Sequence, residues 1–249
     1  MLKMALTDKL TAIANAIRAK TGGTEKLSLD EMANAVSNIR TYENEHITLK
    51  EIIERTATDV ILPDNLTKIG DYAFSTYVNL KSIFLPSSIS SIGSTAFSNC
   101  ISLAITSLPS GISSIGDNAF ANCRELALSS LPSGITTISR STFQGCSKLA
   151  LTSLPSGITS IDAFAFALCS NLAITSLPSG ITSIGDRAFM RCTSLTSITF
   201  EGAPSTIGEK IFMNCTNLKT INVPWAEGAV SGAPWGATNA TINYNYTGE

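Results

Sequence analysis

Charge is scarce in this chain. Of its 249 residues only 17 are Lys or Arg and 19 are Asp or Glu, which leaves a net charge of −2. That balance provides no electrostatic footprint for nucleic acid and no basic patch for an anionic bilayer, so neither is expected as a partner. The charge is also uneven, with 16 of these side chains in residues 1–55 and only six in residues 101–184. Histidine is scarcer still. The lone His46 sits beside Glu43 and Glu45 in a polar linker, and no CxxC pair accompanies it, so neither a zinc site nor a histidine base is indicated. GxSxG, P-loop and GxGxxG motifs are missing, and no serine stands with a paired His or Lys. The chain therefore reads as a non-enzyme with no cofactor and no metal. The first twenty residues, MLKMALTDKLTAIANAIRAK, lack the apolar stretch of a secretory signal. No 18-residue apolar run follows, so membrane insertion is not expected.

What the chain does have is a beat. Phe74, Phe97, Phe120, Phe143, Phe166, Phe189 and Phe212 stand 23 residues apart. Cys100, Cys123, Cys146, Cys169, Cys192 and Cys215 each follow a Phe by three, with Tyr77 in that place in the first repeat; Leu80 through Leu218 follow by six. Self-similarity at such a period is the signature of a solenoid, and 23 falls in the leucine-rich repeat window of roughly 20 to 29 residues. One 23-mer cannot bury its own Phe, Leu and Ile, whereas stacked neighbours share one core. Ile115, Ile138, Ile161 and Ile184, five before each Phe, extend that core. The LPSG element at Pro109, Pro132, Pro155 and Pro178 is expected to form a type I turn, with Pro second and Gly fourth. All six cysteines occupy one repeat position, which predicts a ladder of buried, reduced thiols rather than a disulfide framework.

The ends differ from the middle. Thr7 is placed to cap a helix over residues 8–20 with Leu10, Ile13 and Ile17 on one face. Ser28 with Glu31 opens a second, carrying Met32, Val36 and Ile39. Residues 1–40 are thus expected to be a helical pair too small to own a core, suited to attachment, homo-oligomer formation or docking onto a larger particle. Residues 41–57 read as a linker and helical cap opening at Thr48 and Glu51, residues 58–223 as the solenoid, and residues 224–249 as a β cap. In that cap Ile242, Tyr244 and Tyr246 alternate as a terminal strand. Trp225 and Trp235 are expected either to be buried in the cap or to form an exposed aromatic platform.

Two strand versions alternate in the middle. Coils from Leu80, Leu195 and Leu218 read LxxIx followed by Leu, Phe or Val, whereas those from Leu103, Leu126, Leu149 and Leu172 read LxLxxL. In the latter, Thr106, Ser129, Thr152 and Thr175, each followed by Ser, are expected to stack into a hydroxyl strip suited to polar, weakly charged ligands such as glycans. A second strip, Ser113-Ser114 to Thr182-Ser183, is expected on another face. Residues flanking each Phe vary most between coils, among them Arg140, Phe164, Arg187, Met190, Arg191 and Met213. Phe164 is the foremost candidate for an exposed apolar contact.

The element IGDxAFxxCxxLxxIxLP, as at Ile184 to Leu195, resembles the BspA-like leucine-rich repeats over roughly residues 58–223. The resemblance implies a right-handed β-solenoid of the kind found mostly in non-enzymatic surface proteins that bind host proteins, other cells or polysaccharide. Residues 10–39 and the tail INVPWAEGAVSGAPWGATNATINYNY resemble the ends of tail-associated proteins of phages and prophages of gut Firmicutes. Together these imply a recognition or attachment protein of a phage tail or baseplate, on a virion. The alternatives are a bacterial cell-surface adhesin binding protein or cell-surface glycan, and an intracellular protein scaffold.

Overall fold

The computed structural model describes residues 55, 57–62 and 64–248. The helices expected in residues 8–20 and 28–39, and the cap opening at Thr48, lie outside the described residues. The described chain winds as a β-solenoid of about eight turns with no α-helix. Its strands are short: β1 (Asp59–Ile61), β2 (Lys68–Ile69), β3 (Ser82–Phe84), β4 (Ser91–Ile92), β5 (Ser114–Ile115), β6 (Thr137–Ile138) and β7 (Ser160–Ile161). They continue as β8 (Ser176–Leu177), β9 (Ser183–Ile184), β10 (Ser197–Phe200), β11 (Thr206–Ile207), β12 (Thr220–Asn222) and β13 (Thr241–Asn243). All pair in parallel, and between complete coils the partners stand 23 residues apart, as in Ser160 with Ser183. Three columns run along the stack: the isoleucine strands, the phenylalanine turns and the leucine segments.

The phenylalanine turns hold the core together. Rings of successive coils stack with centroids 5.2–5.8 Å apart and planes within 20°. Every ring from Phe97 to Phe212 is fully buried, and each such burial contributes roughly 1.5–3 kcal/mol. Beside the rings runs the thiol ladder. All six cysteines are free and buried. Each Sγ–H donates to the phenylalanine carbonyl of the preceding coil, as Cys123 does to Phe97 and Cys146 to Phe120 at 3.0 Å.

The isoleucine strands explain the glycine that follows most of them. Neighbouring coils approach so closely that a Cβ at Gly116 would lie 2.6 Å from the Ser94 amide nitrogen. The LPSG turn is framed one residue later than expected. Its hydrogen bond runs from the Ile112 N–H to the Pro109 carbonyl at 3.2 Å, and equivalent bonds form at Ile135, Ile158 and Ile181 at 3.3, 3.1 and 3.1 Å. Pro therefore occupies the first position and Gly the third, because the following isoleucine must turn inward and its amide closes the loop.

The leucine segments divide by sequence. In the LxxIx version the inward residues alternate, Ile198 and Phe200, and a real strand forms. In the LxLxxL version two adjacent residues face outward, which breaks the period of two that a strand requires. Residues 105–108, 128–131 and 151–154 lie outside any strand and donate no backbone hydrogen bond among the described residues, whereas the fourth such coil, from Leu172, forms β8 where it meets the regular strand β10.

Nor does the winding stop at Pro224. β13 pairs with β12, with Thr220 opposite Thr241, and the Phe212 N–H donates to the carbonyl of Trp235, 23 residues on. The tail is a degenerate last coil. Its strand ends at Asn243, and Tyr244 enters a turn instead of continuing the alternation to Tyr246. Trp225 and Trp235 are 8% and 2% exposed and pack with Phe200, their ring centroids 5.4 and 5.7 Å from it. The exposed aromatic platform is thereby replaced by a cap, because the open end of the phenylalanine core is the largest apolar surface within the tail's reach.

Candidate functional site

Each phenylalanine turn carries two residues of left-handed backbone, two before and two after the ring. The first column runs Tyr72, Thr95, Asn118, Ser141, Phe164, Arg187 and Lys210, with φ between 52° and 60°. The second runs Thr76, Asn99, Asn122, Gly145, Leu168, Arg191 and Asn214, again all at positive φ. A left-handed residue costs about 1–2 kcal/mol unless it is Gly or a short polar residue such as Asn. The geometry persists even at Phe164 and Leu168 because alternate amides bond the next coil. Phe164 N–H donates to Asp186 at 3.0 Å, Phe166 to Ala188 at 2.8 Å and Leu168 to Met190 at 2.7 Å. The coil thus sets the backbone whatever side chain it bears.

In the coils of Phe166, Phe189 and Phe212 these columns, and the position just after the ring, change character. Phe164, Leu168, Met190 and Met213 are half-buried there, and Arg191 and Lys210 are exposed. The Arg187 guanidinium lies over the Phe164 ring, 5.7 Å from its centroid. Phe164 is therefore covered on one side by Arg187, less open than the sequence suggested, because the two stand at the same offset of adjacent coils. Arg140 is exposed on the same flank, one coil before Phe164. Arg187, Arg191 and Lys210 form no ion pair among the described residues. The second column was missed by sequence reasoning. Asn99, Asn122, Gly145 and Asn214 at one offset, all residues that tolerate left-handed backbone, were the signal that pointed to it.

The hydroxyl strips separate into two kinds. In the second strip Ser113, Thr159 and Thr182 each donate to a carbonyl of the preceding coil, and Ser183 bonds Ser160 at 3.0 Å. Those hydroxyls bind the scaffold itself. Thr106, Ser129, Thr152 and Thr175 are exposed, and their hydroxyls make no hydrogen bond within the described chain. The structure brings these four together on the leucine column, apart from Phe164 and Arg191 on the turns. Trp225 and Trp235 lie in the core and belong to neither group.

The thiols have no place in a reactive site. Burial pushes the Cys100 thiol up to about 12 and Cys215 up to about 11, while the four between them rise well above the usual thiol range for the same reason.

With phenylalanine, cysteine and leucine ladders in this register, a family comparison becomes decisive. The model of the BspA type leucine rich repeat region matches residues 54–151 and 136–227. The chain belongs to the BspA-type leucine-rich repeat family. This BspA-type chain is similar to a leucine-rich repeat protein of T. pallidum, 31% identical with a TM-score of 0.59, over 65% of this chain and 78% of that one. A leucine-rich repeat protein of Bacteroides ovatus is 25% identical with a TM-score of 0.49, over 76% and 61%. A leucine rich cell surface protein of Faecalibacterium prausnitzii is 22% identical with a TM-score of 0.47, over 68% and 76%. No curated protein matches the chain.

Proposed function

We propose that this BspA-type repeat protein is a non-enzymatic recognition protein, a surface adhesin that binds a partner protein through the left-handed columns of its later turns. The carrying observation is that those columns hold their backbone by bonds between coils, which frees the side chains to vary. In the later coils they bring an aromatic ring, Leu, two Arg and a Lys onto one flank, with Met190 and Met213 at the position just after the ring. Aromatic residues, Met and Arg are what protein interfaces favour and what their hot spots contain. A second reading, a neutral glycan on the leucine column, is favoured by the exposed hydroxyls of Thr106, Ser129, Thr152 and Thr175, which lack intramolecular partners.

Display on a bacterial surface is supported by family membership. Display on a phage tail or baseplate, with residues 1–40 as the attachment or oligomerisation segment, is supported by the resemblance of the two ends.

Labelled full-length chain, titrated onto arrays of immobilised host-surface proteins and of neutral polysaccharides, tests these readings. Saturable binding to a protein, weakened at least about tenfold by Phe164→Asn with Arg191→Glu and unchanged by Ser129→Ala with Thr152→Ala, is the expected result. Polysaccharide binding lost in the hydroxyl variants would select the glycan reading. Binding indifferent to both pairs would reject the two surfaces alike.

A further inference from the structure

The stack is not equally bonded throughout. Along the isoleucine column β2, β4 and β5 form one sheet and β6, β7, β9 and β11 another, and no pairing joins β5 to β6. The break falls between the coils of Phe120 and Phe143. Gly116 N–H donates to Ile92 at 2.9 Å, Asp162 to Ile138 at 2.8 Å and Gly185 to Ile161 at 2.7 Å, but the equivalent bond from Ser139 to Ile115 is missing. The Ser139 hydroxyl takes that carbonyl instead, at 2.7 Å. Ser113 and Thr159 each donate a backbone bond to the coil before, and Thr136 does not. On the leucine column Ala127 bonds Ile105 and Ala173 bonds Leu151, yet Ala150 has no such bond to Leu128.

The backbone bonds that cross this step lie on and beside the phenylalanine turn. Asn118, Phe120 and Asn122 donate to Arg140, Thr142 and Gln144, Cys146 Sγ–H donates to Phe120, and Lys148 pairs with Glu125 at 2.5 Å. The Phe120 and Phe143 rings, 5.8 Å apart, are the widest-spaced stacked pair of the ladder. Repeat arrays derive their cooperativity from nearest-neighbour interfaces, so a step bonded along one column couples its two sides weakly. A step with its backbone bonds on one flank and only side-chain hydroxyl bonds along the isoleucine column is also a hinge.

We infer that the solenoid is two separately cooperative stacks, residues 57–131 and 132–248, hinged along the phenylalanine turns at Phe120 and Phe143. Opening changes the distance between the two halves on the isoleucine and leucine columns and leaves the turn column nearly fixed. All the later-turn residues from Arg140 to Met213 ride on the second stack. The inference stands whether or not those residues bind a partner.

Amide hydrogen exchange on the full chain tests it. The amides of Thr136 to Ser139 are expected to exchange at least about tenfold faster than those of Thr159 to Asp162, their equivalents one coil on. Equal rates would overturn the hinge. A Ser113→Cys, Thr136→Cys pair stands at equivalent positions just before β5 and β6, and a step closed to the roughly 4.8 Å spacing of paired strands brings it within disulfide reach. Once oxidised, it is expected to slow exchange at 137–139 and leave 160–162 unchanged. A formed bridge that changes neither would also overturn it. Should the pair fail to fold, Ser139→Gly frees the Ile115 carbonyl for the backbone, and the expected readout is new protection of the residue 139 amide. Continued rapid exchange there would count against the inference.

Discussion

A thiol whose proton points at a buried carbonyl acts as a donor in the scaffold. Its cost appears only in alkali. Up to about pH 8 the thiols mostly keep their protons in both folded and unfolded chains, and the ladder adds little pH dependence. Above it the unfolded chain ionises while the folded one does not, until about 11 for Cys215 and about 12 for Cys100. Stability therefore falls as pH rises through that window, by up to about 1.4 kcal/mol per thiol and pH unit. Calorimetry is expected to show a melting temperature that is flat from about pH 6 to 8 and falls above about pH 9, less steeply in Cys146→Ala; a flat profile to about pH 10.5 would contradict the ladder. The ring beside it has a different test. Phe166 is stacked on both sides, 5.6 and 5.5 Å from its neighbours, so Phe166→Ala is expected to cost about 3–5 kcal/mol in urea unfolding. A cost under about 1 kcal/mol would mean that the cavity collapses freely.

Elements differ in how plainly the sequence announces them. The phenylalanine, cysteine and leucine ladders were legible because each repeats one residue type at one offset, and burial holds that type fixed. The turn frame was not legible. Pro109 and Gly111 fit two adjacent framings equally well, and the choice depends on which amide the inward isoleucine presents. The burial of Trp235 was legible only as an alternative, because nothing local in PWGATNA says that an open core waits beside it. The left-handed columns escaped notice where Phe164, Leu168 and Arg191 occupy them, since bonds between coils override local preference there. Glycines make the contrast testable. At Gly208 a Cβ would lie 2.5 Å from the Asp186 amide nitrogen, whereas at Gly157 the nearest atom is 3.8 Å away. Gly208→Ala is expected to destabilise by about 1–3 kcal/mol, and Gly157→Ala to be neutral or stabilising by up to about 1 kcal/mol. Equal effects in chemical denaturation would refute the close approach.

At the scale of the whole molecule, the solenoid has its own continuous core from Ala57 to Ala237. Deleting residues 1–40 is therefore expected to leave its circular dichroism and melting intact while abolishing any oligomer or particle docking, as read by light scattering. Loss of the folded spectrum would make those residues a structural cap instead. One regularity of the stack carries a further consequence. On every phenylalanine turn the amides that cross between coils point the same way, from Tyr72 to Ser94, from Phe97 to Ala119, and so on to Arg191 and Met213. Aligned peptide dipoles sum, as they do along a helix. This flank of the solenoid is therefore polar along its length, like an arrow, and at its forward tip the amides of Lys210 and Asn214 donate to no backbone carbonyl among the described residues. The tail coil meets that tip through a single turn amide, from Phe212 to Trp235.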